Sequence, residues 1–129
     1  MNILILTHSF PEVTNRWRGT FVYDQAAALS REHKVTVLFF KGADSAISMS
    51  GKPETREKRE GNMTVISLII PRFFPVINQL RFLGTAYRYI SKSILPHQKI
   101  DIIHSHFSYP AGFLGVIVQK LKGIPHVLT

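Results

Sequence analysis

A chain of 129 residues is long enough to bury one hydrophobic core, and 45% apolar against 19% charged residues is a globular balance, not a disordered one. There is no cysteine, which removes disulfides, thiolate metal sites and a cysteine nucleophile. The net charge of +8 is uneven, +2 over residues 1–60 and +6 over residues 61–129, and such a basic half attracts phosphates, nucleic acids or anionic headgroups without choosing among them.

Met1-Asn2 leads straight into Ile3-Leu4-Ile5-Leu6 with no basic segment before it, which does not match a signal peptide. No stretch reaches the roughly 18 apolar residues of a membrane-spanning helix. The expected location is cytoplasmic, or peripheral at the inner face of the membrane.

Asn2–Thr7 is a short apolar run of the kind that forms a buried parallel strand. After a loop, Thr20 is expected to cap a helix reaching about Glu32, with Phe21, Val22, Ala26 and Leu29 as its apolar face. Lys34–Phe40 reads as a second strand, closing a β-α-β unit with parallel strands. Gly42–Gly61 is polar, and its run from Lys52 to Glu60 holds four positive and three negative charges, which predicts a solvated loop. Met63–Ile70 is a third strand ended by Pro71, and Phe74 to Leu95 fits a helix with Pro96 just beyond. Lys99–Ser105 is a fourth strand, Tyr109–Lys122 a helix stopped by Gly123, and Ile124–Thr129 a fifth strand within which the sequence ends.

This alternation predicts an α/β, Rossmann-like open and mostly parallel sheet of about five strands with helices on both faces. Ligands of such sheets bind beyond the carboxyl ends of the strands, near the reversal of strand order. The segments of interest are then His8–Thr20, Lys41 onward, Pro71–Phe74 and His106–Tyr109.

In the first loop, Gly19 permits close backbone approach and opens a helix N-terminus, where an anion is favoured. Arg16 and Arg18 add fork-shaped donors suited to phosphate, although a plain turn with solvated arginines fits equally well. No G-x-G-x-x-G or Walker lysine motif is present. In Asp101–Gly112, His104 and His106 share a face if the strand persists. They lack a third ligand at metal-binding spacing, and one of them can simply be a buried strand-end residue. Ser9, Ser105 and Ser108 lack a nucleophile elbow. Along the Phe74–Leu95 helix, Arg81, Arg88 and Lys92 recur at spacings of seven and four beside Phe82, Tyr87 and Tyr89, with Arg72 and Phe73 just before. This suits a helix resting on an anionic membrane surface, or a solvated face with core aromatics.

Five pieces occur in order: Ile3-Leu4-Ile5-Leu6-Thr7-His8-Ser9-Phe10-Pro11, the run Arg18–Ser30, Val35-Thr36-Val37-Leu38, the run Asp101–Gly112, and Gly123-Ile124-Pro125-His126-Val127-Leu128-Thr129. Together they resemble the N-terminal domain of glycosyltransferase family 4, over nearly the whole chain and most weakly between Gly42 and Gly61. The resemblance implies one half of a GT-B fold, in which the N-terminal domain receives the acceptor and a C-terminal domain binds the sugar nucleotide. It implies a retaining hexosyl transfer, from a nucleotide-sugar to a lipid-linked or polysaccharide acceptor, that needs no metal or other cofactor. Gly19 would lie near the donor diphosphate and acceptor, and His106 would face the cleft. Arg16, Arg18, Thr20, Ser108 and Tyr109 complete the expected site.

Two departures stand out. Glu32-His33-Lys34 replaces the usual helix-ending glycine, and the sequence ends before a family histidine that lies near the reacting sugar. The donor-binding E-x7-E carboxylates are also outside these residues. The domain is therefore expected to be inactive without a C-terminal donor domain. The alternative is a non-catalytic module docking on a membrane surface or a partner through Arg72, Phe73, Arg81, Arg88 and Lys92. Nucleic acid is not an expected partner, since no recognised motif accompanies the charge.

Overall fold

The protein is described by a computed structural model over residues 1–12, 15–42, 52–71 and 75–129, with side chains of the last stretch from residue 80 onward. The apolar run Asn2–Thr7 forms β1, with its last five residues buried, as a strand covered on both faces must be. Thr20–Leu29 follows as α1 and Lys34–Gly42 as β2; then come β3 (Glu54–Glu60), β4 (Met63–Ile70), α2 (Pro75–Tyr89), β5 (Ile102–Ser105), α3 (Phe113–Lys122) and β6 (His126–Leu128). The six strands lie in the order β3-β4-β2-β1-β5-β6, and every pair is parallel except β3 with β4.

Alternation along the strands divides the core in two. Leu4, Leu6, Leu38, Phe40, Leu68 and Ile103 point to one face, under Leu83 and Ala86 of α2 and Leu114 and Val118 of α3. Ile3, Ile5, Val35, Val37 and Phe39 point to the other, under Val22 and Ala26 of α1. Helices thus cover both faces, as expected. α2 runs on into a π-type turn, Ile90–Ile94. Ala86, Ile90 and Ile94 are all buried at four-residue spacing. That spacing drifts by about 40° per step on an α-helix, and the wider π turn reverses the drift.

Several boundaries differ from expectation. Glu54–Glu60, expected to be loop, is an edge strand paired along its length with β4. Its Glu54–Arg56, Glu57–Arg59 and Lys58–Glu60 pairs let a strand with no apolar face satisfy its charges. Gly19, not Thr20, is the N-cap of α1, which ends at Leu29 with no side-chain cap at its start. β5 begins only at Ile102, and α3 only at Phe113, because the π-type turn Ser108–Gly112 before it holds Tyr109 extended at φ −140°, ψ 138°. The expected helix start at Phe74 lies outside the described residues.

α3 can approach β5 and β6 closely because Gly115 has no side chain. A Cβ there would meet His126 Nε2 and stand 2.5 Å from Ser105 Oγ, and those two atoms are hydrogen-bonded at 2.8 Å. Gly84, inside α2, would meet nothing within 4 Å. Gly84→Ala is expected to stabilise by about 0.5–1 kcal/mol through helix propensity alone. Gly115→Ala is expected to destabilise by about 1–3 kcal/mol through overpacking. Urea unfolding of the two variants reads the opposite signs, and a gain at Gly115 would contradict the close packing.

Candidate functional site

From β1 the chain adds β2 beside it, goes out to the edge strand β3, turns back into β4 between β3 and β2, and then crosses to the other side of β1 to form β5. The strand order reverses between β1 and β5, so the carboxyl ends of these two strands frame the crevice where such sheets bind ligands. His8 follows β1 directly and His106 follows β5. The backbone amide of His106 donates to the Leu6 carbonyl at 3.0 Å, continuing the β1–β5 ladder one residue further.

Thr7 turns the chain at the end of β1. Its hydroxyl donates to the Ser9 carbonyl at 2.9 Å and accepts from the Ser9 amide at 3.1 Å. Gly19 packs back onto this turn at φ 66°, and a Cβ on it would lie 2.5 Å from the Ser9 carbonyl oxygen and 2.8 Å from the Phe10 nitrogen. α1 therefore starts against the β1 loop, its first turn without an acidic residue. The positive end of its dipole stands beside the crevice uncompensated by a carboxylate of that turn.

His106 is 1% exposed, and neither ring nitrogen has a hydrogen-bond partner among the described residues. The His104 ring lies 4.6 Å from it and the Phe21 ring 6.0 Å. Burial, helped by His104, holds its pKa at about 4, so the ring is neutral at physiological pH. His104 is instead hydrogen-bonded to the Thr129 hydroxyl. Phe107 carries φ 74°, a conformation that a non-glycine residue adopts at a cost of about 1–3 kcal/mol. Its amide donates to the Thr129 carbonyl at 3.0 Å and its carbonyl accepts from the Gly112 amide at 2.9 Å. The ring is held between His8 (4.8 Å) and Phe21 (5.6 Å). Such strain, fixed by its surroundings, is typical of ligand-binding loops.

Over this edge His8, Arg18, Lys41 and Pro110 line a cleft of about 170 Å³. The Arg18 guanidinium donates to the His8 carbonyl at 3.3 Å. Burial and the neighbouring Arg18 charge lower the His8 pKa. The cleft is small, electropositive and placed at the reversal of strand order.

A family model, Glycosyltransferase Family 4, matches residues 19–129. The chain belongs to glycosyltransferase family 4. It is 40% identical over 50 residues to an uncharacterized glycosyltransferase of Methanocaldococcus jannaschii, a match covering 39% of this chain and 14% of that protein. The fold is similar to that of an alpha,alpha-trehalose-phosphate synthase (UDP-forming) from Burkholderia vietnamiensis (TM-score 0.61, 15% identity, 98% of this chain and 32% of that one). It is also similar to the C-terminal domain of a hydrogenase from Pyrococcus furiosus (TM-score 0.59, 14% identity, 98% and 88%). At these identities the likeness shows the fold alone: a Rossmann-like sheet matching one domain of GT-B enzymes. The chain spans 14% of the length of the archaeal relative and about a third of the synthase.

In this family 4 domain the residues expected at the site fall into three places. Gly19 packs on the β1 loop and His106 follows β5, its ring 6.0 Å from that of Phe21 in the first turn of α1, where Thr20 is exposed. Arg18 overhangs the small cleft, but Arg16 turns to the α1 face of the sheet and lines a different hollow with Lys41 and Arg56. Ser108 and Tyr109 are exposed on the rim, the Tyr109 ring 6.3 Å from Phe113.

The basic stripe fares differently. Arg72 and Phe73 lie outside the described residues. Arg81, Arg88 and Lys92 are exposed, and Phe82, Tyr87 and Tyr89 pack against the core, the second of the two arrangements that the sequence allowed. The aromatics complete the α2–sheet contact, which leaves Leu80 as the exposed large apolar residue beside the stripe among the described side chains of α2. No helix among the described residues is long and apolar enough to cross a membrane.

His8, Lys41 and Phe107 lie in the segments that the sequence marked for inspection, but none was named there as a site residue. His8 carried a usable signal, being the first residue after β1 at a predicted switch point. Phe107 carried none, because nothing in a phenylalanine announces a left-handed backbone.

Proposed function

We propose that this chain is the N-terminal, acceptor-side domain of a retaining hexosyltransferase, moving a sugar from a nucleotide-sugar donor to a lipid-linked or polysaccharide acceptor. The observation that carries this reading is the first turn of α1 beside His106, with the Phe21 ring 6.0 Å from the imidazole. A helix start whose first turn carries no acidic residue stands beside a neutral, buried imidazole with neither nitrogen hydrogen-bonded among the described residues. The first suits the diphosphate of a sugar nucleotide, and the second can accept from or donate to a sugar hydroxyl.

In this reading Arg18 adds charge beside the diphosphate, Thr20 offers a hydroxyl on the first turn, and Ser108 and Tyr109 contact the acceptor from the rim. The residues that would grip the rest of the donor belong to a second domain, so transfer needs both. A metal is not required, because cationic side chains and a helix N-terminus supply the positive charge. The exposed stripe of Arg81, Arg88 and Lys92 is solvated in this reading.

The test is transfer from UDP- and GDP-hexoses to lipid-linked and polysaccharide acceptors, with the chain joined to family 4 donor domains or mixed with them. Activity is expected only in their presence. Arg18→Ala is expected to lower kcat/KM by about tenfold, the worth of one charge-assisted contact. No transfer with any donor domain, or full activity after Arg18→Ala, would count against the assignment.

A further inference from the structure

A second basin lies on the α1 face of the sheet, away from the switch point. α1 packs over β1 and β2, and beside it two adjoining hollows of about 340 and 570 Å³ open over β4 and β3. They share Pro11, Arg56, Lys58 and Ser67, and so form one groove of a size that takes a single small molecule.

The groove is electrically polarised. Its larger hollow, toward the carboxyl ends of the strands, is lined by Arg16, Lys41, Arg56 and Lys58 against Glu12 alone. The smaller hollow also carries the Glu60 carboxylate, beside Phe10 and Tyr23, whereas the Glu57 side chain points to the other face of β3, toward Arg59. Glu60 accepts from the Tyr23 hydroxyl at 2.8 Å, a bond that keeps its carboxyl below the usual range and therefore ionised.

Of the basic groups, Lys41 is held by Glu12 at 2.7 Å, in a pair that is largely buried. Arg56 and Lys58 are paired with Glu54 and Glu60 at 3.1 and 3.3 Å, but in pairs largely open to solvent. Exposed pairs contribute little to stability, so a phosphate can draw these cations inward. The fork of an arginine suits phosphate oxygens, whereas the Glu60 carboxylate and the Tyr23 hydroxyl at the far end suit hydroxyl groups. A nucleic acid would need a basic track along its whole length, and the acidic end breaks it.

We propose that this groove binds a phosphorylated polyhydroxy compound, its phosphate against Arg16, Arg56 and Lys58 and its hydroxyls toward Glu60 and the Tyr23 hydroxyl. The site is separate from the switch-point crevice and does not depend on the transfer reaction proposed for it.

Amide NMR titrations of the full chain with inorganic phosphate, a hexose phosphate and the unphosphorylated hexose test this. The hexose phosphate is expected to move the amides of Arg56, Ser67 and Ile69. Inorganic phosphate should move the same amides about tenfold more weakly, for want of the hydroxyl contacts, and the hexose alone should move none. The double variant Arg56→Gln, Lys58→Gln, checked for folding by its otherwise unchanged spectrum, should weaken binding at least about tenfold. Arg16→Gln, outside the strand, should weaken it too, while Arg18→Ala should leave it unchanged. The proposal is overturned if no probe binds, if the hexose binds as well as its phosphate, if the shifts gather at His8 and Gly19, or if the double variant binds normally. Loss of sugar transfer with groove binding intact would touch only the reading of the crevice.

Discussion

Gly19→Ala is expected to cost about 2–4 kcal/mol of stability, several times what the same change costs at Gly61. Both glycines sit in the left-handed region, at φ 66° and 58°. A residue with a Cβ pays about 1 kcal/mol for that conformation wherever it occurs. At Gly61 the new methyl would meet nothing within 4 Å. At Gly19 it would meet the backbone of Ser9 and Phe10, with Ser9 oxygen at 2.5 Å. Backbone held by the Thr7–Ser9 turn cannot swing aside as a flexible side chain would, so α1 and the β1 loop must separate. Urea midpoints of the two variants at unchanged slope measure the difference. That separation also shifts the α1 N-terminus relative to the crevice. In a chain joined to a donor domain, transfer should fall by about 100-fold, the usual consequence of an ångström-scale displacement in a reacting site. Equal losses of stability at the two glycines would show that the close approach to Ser9 carries no weight.

The sequence made this glycine legible because few residues can do what it does, and the same logic separates what could be read from what could not. β1 and β4 occur at their expected residues because buried parallel strands are apolar runs bounded by polar or proline breaks. β3 was invisible because Glu54–Glu60 has no apolar period; it is held by backbone pairing to β4 and by neighbouring charge pairs. A signal did exist in the two-residue link Gly61-Asn62, a hairpin pair, but the charges before it argued for a loop. On α2 the spacing of Phe82, Tyr87 and Tyr89 left two faces open, and only packing against the sheet decided that they turn inward. Arg16 and Arg18 are neighbours in sequence yet serve different hollows, because the turn before Gly19 sends them to different sides of the β1 loop. Residue type and order therefore located the crevice, while the direction of individual side chains around it required the fold.

His106→Leu is expected to leave the domain as stable at pH 7 or more stable, by up to about 2 kcal/mol, because it removes two buried nitrogens that lack partners among the described residues. Leucine fills a similar volume against Phe21 and His104. The pH dependence should change with it. In the unfolded chain the imidazole titrates near 6.5, and in the folded domain burial and His104 hold it at about 4. The unfolded state thus takes up this proton first as the pH falls. Stability contributed by the neutral ring is complete above pH 6.5, declines between 6.5 and about 4, and is lost below. Over the whole window it amounts to about 3 kcal/mol, and His106→Leu should remove that share of the slope. His8, His104 and His126 also have lowered pKa values, chiefly through burial, so a smaller slope should remain. Function should move the other way. A buried imidazole that satisfies neither nitrogen at home is a cost that a purely structural residue need not carry, and a substrate hydroxyl would supply the missing bond. Transfer in the complemented enzyme is expected to fall by about 100-fold, roughly 2.7 kcal/mol of transition-state stabilisation, in a protein no less stable than before. A variant that loses stability at pH 7 and keeps its activity would make His106 a core residue and remove the reason for placing a hydroxyl-bearing ligand at the switch point.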